Sequence, residues 1–384
     1  MGWIAKARKF VRRTRSPAAF LNGLKTGYAI AFRPRVTPAQ IMTAQIEITL
    51  RCNLACPMCE NPLIQENKGD MTFEQFKGIL DQIPYLISLN LTGIGESLMN
   101  KDVWRMLEYA KRKGVYVWFT TNGTILTEGI AKKLIQVGVD ELVISFDGAS
   151  SDTFDKIRLG ARFADVVRNL ERLQRIKREL KRENPKLAFG ITLVRDNLGD
   201  VPDIVKIAAG LGIQETIIGT GLVELDSPDA ILNPNTPKPT RGQIAAMTDR
   251  AKRIGKEDGV KVRVAVPETA RGKECNCIKP WTTCYITKDG WFFPCCEVTQ
   301  RRIPRDQLVK HALGNVITGK LADFWNGEGY QKLRLGISDP GERWDLCKSC
   351  ARCHKMPAED AQPDLHCRTD VGRAAGAEAL EVKV

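Results

Sequence analysis

Histidine is scarce in this chain, with three among 384 residues. His354 and His366 sit beside cysteines and could act as ligands, although solvated loop positions are the plainer reading; His311 stands apart. No apolar run reaches the roughly 18 residues that a bilayer span needs. The segment Ala18 to Phe32 is broken by Asn22, Gly23, Lys25 and Gly27. The basic start has no clean apolar stretch or cleavage site behind it, so no signal peptide is expected. Acid is absent before Glu47, while residues 1–46 carry nine of the 58 Lys and Arg. The net charge of +13 therefore falls to +4 beyond them, and the basic character belongs to an N-terminal arm rather than to the body of the protein. Cysteine is missing between Cys59 and Cys275, with three before the gap and nine after it. In a chain without secretory features, twelve cysteines argue for metal rather than disulfides. Their split suggests two metal-bearing regions separated by a cysteine-free scaffold. With 43% hydrophobic and 27% charged residues, the chain has the composition of a globular protein, long enough for one large core and a smaller module.

What is present begins with Cys52, Cys56 and Cys59, spaced C-x3-C-x2-C directly after the alternating run Gln45–Leu50, which reads as a strand. Thiolates suit iron–sulfur clusters. Three of them can hold three irons of a cubane and leave the fourth open to a small molecule. A zinc knuckle awaiting a distant fourth ligand is the alternative. Further strand-like runs are Leu86–Leu91, Tyr116–Thr120, Glu141–Phe146, Leu187–Leu193 and Glu215–Gly219, with helical segments between them. Thr72-Phe-Glu-Gln75 is a capping-box pattern, Asp102 and Thr127 are expected caps, and Phe163–Glu183 is a long charged amphipathic helix. Six βα units imply a parallel sheet curved into a barrel or partial barrel, with its site at the C-terminal strand ends.

The cysteine loop, Gly93-Ile-Gly-Glu96, Thr120-Thr-Asn-Gly123 and Ile144-Ser-Phe-Asp-Gly148 each end such a run. In this context they resemble the radical S-adenosylmethionine (SAM) superfamily, over about Thr43 to Leu222. The resemblance implies a 4Fe–4S cluster on Cys52, Cys56 and Cys59 whose open iron binds SAM. The reduced cluster then cleaves the sulfonium, and the 5′-deoxyadenosyl radical abstracts hydrogen from a C–H bond. It also implies that the Met58 backbone contacts adenine, at a position usually aromatic. Gly93 and Gly95 would allow close approach, and Glu96 would accept from the SAM ammonium. Ser97 replaces a more usual proline. Ser145 and Arg158 match positions that hold the SAM carboxylate or ribose. Asn122 and Asp147, each followed by Gly, are cofactor-binding candidates with a plain alternative as turn formers.

After Leu222 the alternation stops. Residues 226–240 read as a loop, followed by a helix from Arg241 to about Glu257, a short strand at Val260–Val266, and a hairpin around Lys288-Asp-Gly290. This end resembles the SPASM or twitch extension of radical SAM enzymes. The matches are Cys277-x12-Gly290-x4-Cys295, Gly314-Asn315, Trp325, Arg334 and Cys347-x2-Cys350. The resemblance implies an auxiliary 4Fe–4S cluster on Cys277, Cys295, Cys347 and Cys350, acting as an electron relay. Cys350 to Cys353 has two intervening residues where the family usually has five. Cys284, Cys353 and Cys367, with Cys275 or Cys296, could hold a second auxiliary cluster, and a zinc ribbon from Cys347, Cys350, Cys353 and Cys367 is the alternative. Glu297 is a candidate base beside the auxiliary cluster. Trp281 and Trp291 read as core.

The expected fold is α/β: a partial (β/α)6 TIM-like barrel with a C-terminal cysteine-rich α+β auxiliary-cluster domain. Its divisions are a basic helix and linker (1–44), barrel (45–225), linker region (226–270), cluster domain (271–368) and tail (369–384). In the arm, Trp3, Ile4, Ala7, Phe10 and Val11 share one helical face and basic residues the other. It reads either as a helix on an anionic membrane surface through residues 1–16 or as one packed on the barrel. Aromatic interleaving and recognition motifs are lacking, so nucleic acid is not an expected partner. The expected activity is radical oxidation, cross-linking or epimerisation of a peptide, protein or sugar-like substrate. A flavodoxin or ferredoxin would be the reducing partner, and the location cytoplasmic, peripheral on the inner membrane face. About 45 residues precede the barrel, so no leader-binding domain is expected there. The alternatives are a lipid or lipid-linked substrate and a non-enzymatic iron–sulfur or zinc carrier.

Overall fold

The structure is a computed structural model. It describes residues 16–64, 68–220, 241–264, 277–296, 305–339, 341, 343–344 and 347. The arm to residue 15, the loop at 226–240, Cys275, Glu297, Cys350, Cys353, Cys367, His354, His366 and the tail lie outside the described residues.

Helix α1 (Pro17–Phe32) leads into strand β1 (Thr43–Ile46). Then come α2 (Phe73–Asp81), β2 (Ser88–Asn90), α3 (Val103–Arg112), β3 (Tyr116–Thr121), α4 (Glu128–Val137) and β4 (Glu141–Ser145). Helices α5 (Ser151–Ile157) and α6 (Phe163–Glu179) precede β5 (Lys186–Leu193), α7 (Val201–Gly210) and β6 (Glu215–Thr220). The chain continues through α8 (Arg241–Glu257), β7 (Lys261–Val264), α9 (Lys279–Thr282), β8 (Thr283–Ile286) and β9 (Phe292–Phe293). It closes with α10 (Arg305–Val309), α11 (Leu321–Trp325) and α12 (Glu328–Ser338).

The six alternating strands lie side by side in chain order, and every pairing from β1 to β6 is parallel. Two findings go beyond the expected division into barrel, linker and cluster domain. Strand β7, from the stretch read as a linker, pairs with β6 in parallel. Strand β8, from the cysteine-rich end, pairs with β1 in parallel, Thr43 opposite Thr283 through Ile46 opposite Ile286. The cysteine-rich end is thus built onto the barrel sheet, which among the described residues has nine strands and stays open between β7 and β9. Register explains it: both edges of a six-stranded sheet offer unpaired backbone groups, and a parallel strand from the distal chain satisfies one of them.

Successive strand residues face opposite sides. One side is apolar and packs under the helices, with Ala44, Ile46, Leu89, Val117, Phe119, Ile144 and Phe189 in the main core. The other, concave side carries buried Gln45, Glu47, Thr49, Ser88 and Asn90 along β1 and β2, and buried Trp118, Val143, Ala188 and Ile217 across β3 to β6. Parallel strands with both faces in helical cores read as continuous apolar runs; the polar residues of β1 and β2 mark that end of the face as something other than core. The capping box forms as expected, with Gln75 N–H on Thr72 Oγ1 at 3.2 Å and Thr72 N–H on Gln75 Oε1 at 2.9 Å. Asp102 does not cap its own helix. Its carboxylate accepts from Phe73 N–H at 3.1 Å, at the start of the neighbouring α2.

Candidate active site

The extension of β1 carries the chain from Glu47 to Arg51, directly ahead of Cys52. Arg51 grips Asp70 through two hydrogen bonds at 3.0 and 2.5 Å, and Thr49 Oγ1 adds a third at 2.7 Å. Burial works to raise the Asp70 carboxyl, but Arg51 and Thr49 outweigh it and hold it below its ordinary range. Beyond Arg51 the loop is tied down by backbone and amide contacts. Ala55 N–H donates to Leu159 O at 3.0 Å, Cys59 N–H to Cys56 O at 3.0 Å, and Asn61 Nδ2 to Leu50 O at 2.6 Å. Asn61 N–H also points at Cys59 Sγ, 3.4 Å away. Sequence reasoning missed Asn61; its place two residues beyond the last cysteine was the only signal.

Cys56 is buried, Cys52 and Cys59 are half-buried, and all three are free thiols. Burial pushes the Cys59 thiol up to about 11, with Cys56 and Cys52 adding in the same direction and the Asn61 N–H opposing. Cys52 is raised by burial as well, with the Glu96 carboxylate contributing. The three sulfurs therefore share one electrostatic neighbourhood, and Arg158 lies in it with Nη1 3.9 Å from Cys56 Sγ. Among the described residues no three His, Cys, Asp or Glu side chains converge on a single metal ion. Three soft donors grouped in one loop suit a cubane, in which each thiolate takes a different iron.

The other candidates assemble around this loop. Glu96 N–H donates to Arg51 O at 2.8 Å, one residue before Cys52. The Glu96 carboxylate is buried and accepts from Leu98 N–H at 3.2 Å and Asn122 N–H at 2.8 Å. Burial raises its pKa and those two donors oppose the rise. Gly93 and Gly95 are glycines because of the protein itself. A Cβ on Gly95 would sit 2.5 Å from Thr49 O, and one on Gly93 would sit 2.4 Å from Glu47 Cγ. The second motif is pressed onto the strand that feeds the cysteine loop. Asn122 ties the third motif to the same loop, donating from Nδ2 to Asn53 Oδ1 at 2.9 Å and accepting from Thr124 N–H at 2.9 Å. Ser145 is half-buried at the end of β4, beside Gly190. Met58 is half-buried against the main core.

Asp147 and Arg158, both cofactor-binding candidates, are paired with each other. The Asp147 carboxylate is wholly buried, ion-paired with Arg158 and accepting from Thr192 N–H at 2.6 Å. Burial pushes this carboxyl up while Arg158 pulls it back; burial opposes the Arg158 charge in turn, and Asp147 holds it protonated. The pair joins the segment after β4 to the end of α5 and leaves Arg158 Nη1 3.9 Å from Cys56 Sγ.

At the cysteine-rich end, the thiols of Cys284, Cys295 and Cys277 all lie in the surroundings of the buried Tyr330 hydroxyl. Cys277 packs with Ala29, Ala39, Trp281 and Ile337. Cys295 packs against Tyr285, Phe293, Cys296 and Leu308, and half-buried Cys347 lies against the main core. Cys284 is inside the main core, where burial alone drives its thiol well above the ordinary range; its surroundings are those of a packing residue. Arg334 is buried with only carbonyl and amide acceptors: Pro280 O, Arg35 O, Trp325 O and Asn326 Oδ1, at 2.7–3.2 Å. Burial pulls it down to about 10. It stacks over Trp325 and Tyr330 and locks this end together. Trp281 is core as expected; Trp291 is half-buried.

A second group escaped the sequence reading. Glu47 is fully buried and accepts from Ile94 N–H at 3.1 Å, Tyr285 Oη at 3.1 Å and Arg305 Nη2 at 2.6 Å. Strand alternation put Glu47 on the polar face; nothing local could supply a counterion 258 residues away.

The model of the radical SAM superfamily matches residues 46–208, and that of an iron–sulfur cluster-binding domain, SPASM, matches residues 275–354. The chain is 26% identical to the tungsten-containing aldehyde ferredoxin oxidoreductase cofactor-modifying protein of Pyrococcus furiosus, over 82% of this chain and 88% of the relative. It is also 26% identical to the PqqA peptide cyclase of Rhizobium meliloti, over 83% and 81%. Among solved structures, its fold is similar to that of Streptococcus suis SuiB bound to S-adenosylmethionine, with TM-score 0.58, 14% identity and coverage of 77% and 68%. It is likewise similar to anSMEcpe with bound AdoMet, with TM-score 0.55, 18% identity and coverage of 81% and 88%.

Proposed function

The chain belongs to the radical SAM superfamily and carries a SPASM-type iron–sulfur domain, and on that premise we propose that it abstracts hydrogen from a C–H bond of a peptide or protein side chain. The observation that carries the peptide reading is the similarity to PqqA peptide cyclase along four-fifths of both chains. The concave face supports it. Its charges are paired, Glu47 with Arg305, Asp147 with Arg158 and Glu215 with Arg263. The remaining polar groups are neutral amides and hydroxyls such as Gln45, Asn90 and Thr92, which suit peptide groups. The donor Nδ2 of buried Asn90 has no partner among the described residues.

When bound, the 4Fe–4S cluster and SAM supply the 5′-deoxyadenosyl radical. The protein's own part is positioning. Cys52, Cys56 and Cys59 are the proposed cluster ligands, and Arg158 offsets the negative charge of their thiolates. Glu96, held by the Asn122 and Leu98 N–H groups and the Thr121 hydroxyl, is the proposed acceptor for the SAM ammonium. Gly93 and Gly95 set the distance between that carboxylate and the loop. Met58, Asn122 and Ser145 are the further proposed cofactor contacts. Cys277, Cys295, Cys347 and Cys350 are the proposed auxiliary ligands. Tyr285 links the two regions: its hydroxyl meets Glu47 at 3.1 Å, while its ring packs with Cys295. An auxiliary cluster held by those four cysteines would supply an electron acceptor, and the proposed reducing partner is a flavodoxin or ferredoxin.

The test is anaerobic reconstitution. Reduced protein should convert SAM to 5′-deoxyadenosine and methionine, and Cys56→Ala should not. With a deuterated candidate peptide, deuterium should appear in 5′-deoxyadenosine. Protein that holds zinc and leaves SAM intact would overturn the chemistry; cleavage without transfer from any peptide would overturn the substrate class. For location, we infer contact with an anionic membrane surface through residues 1–16, supported by their six Lys and Arg and lack of acid. Among the described residues no helix is long and apolar enough to cross a membrane.

A further inference from the structure

Helix α1 is amphipathic in an unusual sense. The side it turns to the protein is small and polar, with Ala19, Asn22, Thr26 and Ala29 buried. The side it turns outward is greasy: Phe20, Leu21, Leu24, Tyr28 and Phe32 are 40–71% exposed. At 3.6 residues per turn these five fall within one arc of about 120°, opposite the buried residues. Tyr28 and Phe32 extend it as a tilted ring pair with centroids 4.9 Å apart. Of ten exposed large apolar side chains among the described residues, six lie between Phe20 and Val36. Single exposed hydrophobics need no explanation, but a contiguous helical face of them marks an interaction site.

Charge identifies what covers it. Lys25 borders the arc and is exposed, and Arg33 and Arg35 follow the helix. The fifteen residues ahead carry six Lys and Arg, and acid is absent until Glu47. An apolar face with aromatic rings, bordered by exposed Lys25 and set in a segment whose sequence is basic and free of acid up to residue 46, matches an anionic bilayer interface, where apolar insertion and attraction to acidic headgroups act together. We propose that α1 docks this protein on anionic membranes, inserting Phe20, Leu21, Leu24, Tyr28 and Phe32 among the headgroups.

The seat of α1 fixes which end faces the lipid. Asn22 exchanges two hydrogen bonds with the backbone of Gln40, at 3.1 and 2.8 Å, and Thr26 Oγ1 meets Met42 Sδ at 3.2 Å. These residues enter β1, whereas the cysteine loop leaves it. The docking helix is thus seated at the entry end of β1, and the cysteine loop follows the opposite end of that strand. The membrane is a location here and not the source of the substrate, which separates this inference from the lipid-substrate alternative. It goes beyond the peptide reading and stands without it.

The experiment is flotation of the reconstituted full-length protein with vesicles of phosphatidylcholine, alone or with about 30% phosphatidylglycerol to set the negative surface potential. Wild-type protein should float with the mixed vesicles only, and less so as salt rises. The exposed-face variant Leu21→Ser/Leu24→Ser/Phe32→Ser should bind at least about tenfold more weakly, since each apolar side chain lost from an interface lowers partitioning. Its circular dichroism and SAM cleavage should match wild type, because none of the three touches the site. Equal flotation of the variant, or none of the wild type, would overturn the proposal. So would a wild-type dimer that the variant converts to monomer, which would make a second copy the occupant. Stronger flotation after deletion of residues 2–15 would make that segment the occupant instead.

Discussion

The two cysteine regions are organised on opposite principles. The first is local: Cys52, Cys56 and Cys59 span eight residues, and their loop is pinned by polar groups from neighbouring strand ends, Arg51 to Asp70, Glu96 N–H to Arg51 O, and Asn122 to Asn53. The second is tertiary. Cys277, Cys295 and Cys347 come from distant segments and are set by apolar packing around Tyr330, Trp281 and the buried Arg334. A site made of one loop tolerates a shifted neighbour but not the loss of a ligand. A site made of separate segments depends on the packing of everything between them. The contrast fits the proposed roles: a loop site would leave a cosubstrate position open, while an auxiliary cluster with four cysteine ligands would need only to be buried and fixed.

Substituting one ligand in each region breaks the comparison most sharply. Cys56→Ala should lower SAM cleavage by more than the roughly 100-fold that outer-sphere changes reach at metal sites. Cys277→Ala should keep SAM cleavage and lose turnover of the peptide, measured as the ratio of product to 5′-deoxyadenosine. Loss of both activities in both variants would mean that the two regions are not separable. Next in size is Asp147→Ala, which strands the Arg158 cation in a buried site. It should cost about 3–5 kcal/mol, seen as a lowered Tm even in cluster-free protein. Gly95→Ala follows at about 1–3 kcal/mol, because its methyl would meet Thr49 O and push the Glu96 segment off the cysteine loop. Its readout is iron content per chain. A smaller effect is expected of Tyr285→Phe, which keeps the ring beside Cys295 and removes the hydroxyl from Glu47. Stability should change by about 1 kcal/mol, while the product ratio falls with SAM cleavage unchanged.

The same contrast explains what could be read from the sequence. The six sequential βα units were legible because each strand is a short apolar run and the helices between them carry their own signals, as in Thr72 with Gln75. The first cysteine site was legible because its residues are neighbours in the chain or sit just past a strand. The placement of β7 and β8 at the two edges of one sheet was not, since pairing Thr43 with Thr283 is a long-range choice that no local pattern encodes. Asp147 and Arg158 were each legible as candidates, but their pairing was not, since it depends on how α5 returns to the end of β4. Glu47 shows the limit most plainly. Its burial could be inferred from alternation, but not Arg305 or Tyr285, which neutralise and cap it from the other end of the chain.

The effect that needs the narrowest window to see is one of pH, and it distinguishes an empty loop from a loaded one. Burial raises the Cys59 thiol from 9.0 to about 11 in the folded, cluster-free chain. Below pH 9 folded and unfolded chains both hold the proton, so the site contributes no slope. Between pH 9 and 11 the unfolded chain releases it first, and stability is lost as pH rises through that window. The Tm of cluster-free protein should therefore drop there. Cys284, buried in the core, acts in the same direction, so the comparison that isolates the loop is wild type against Cys59→Ser, which should flatten part of the slope. With the cluster bound, the loop thiols are already deprotonated as ligands and their release of protons has moved to the loading step. The loaded protein should show a shallower fall over the same window, and iron loading should become faster as pH rises toward 9. Equal slopes in empty and loaded protein would show that Cys59 is not among the groups that change protonation on cluster binding.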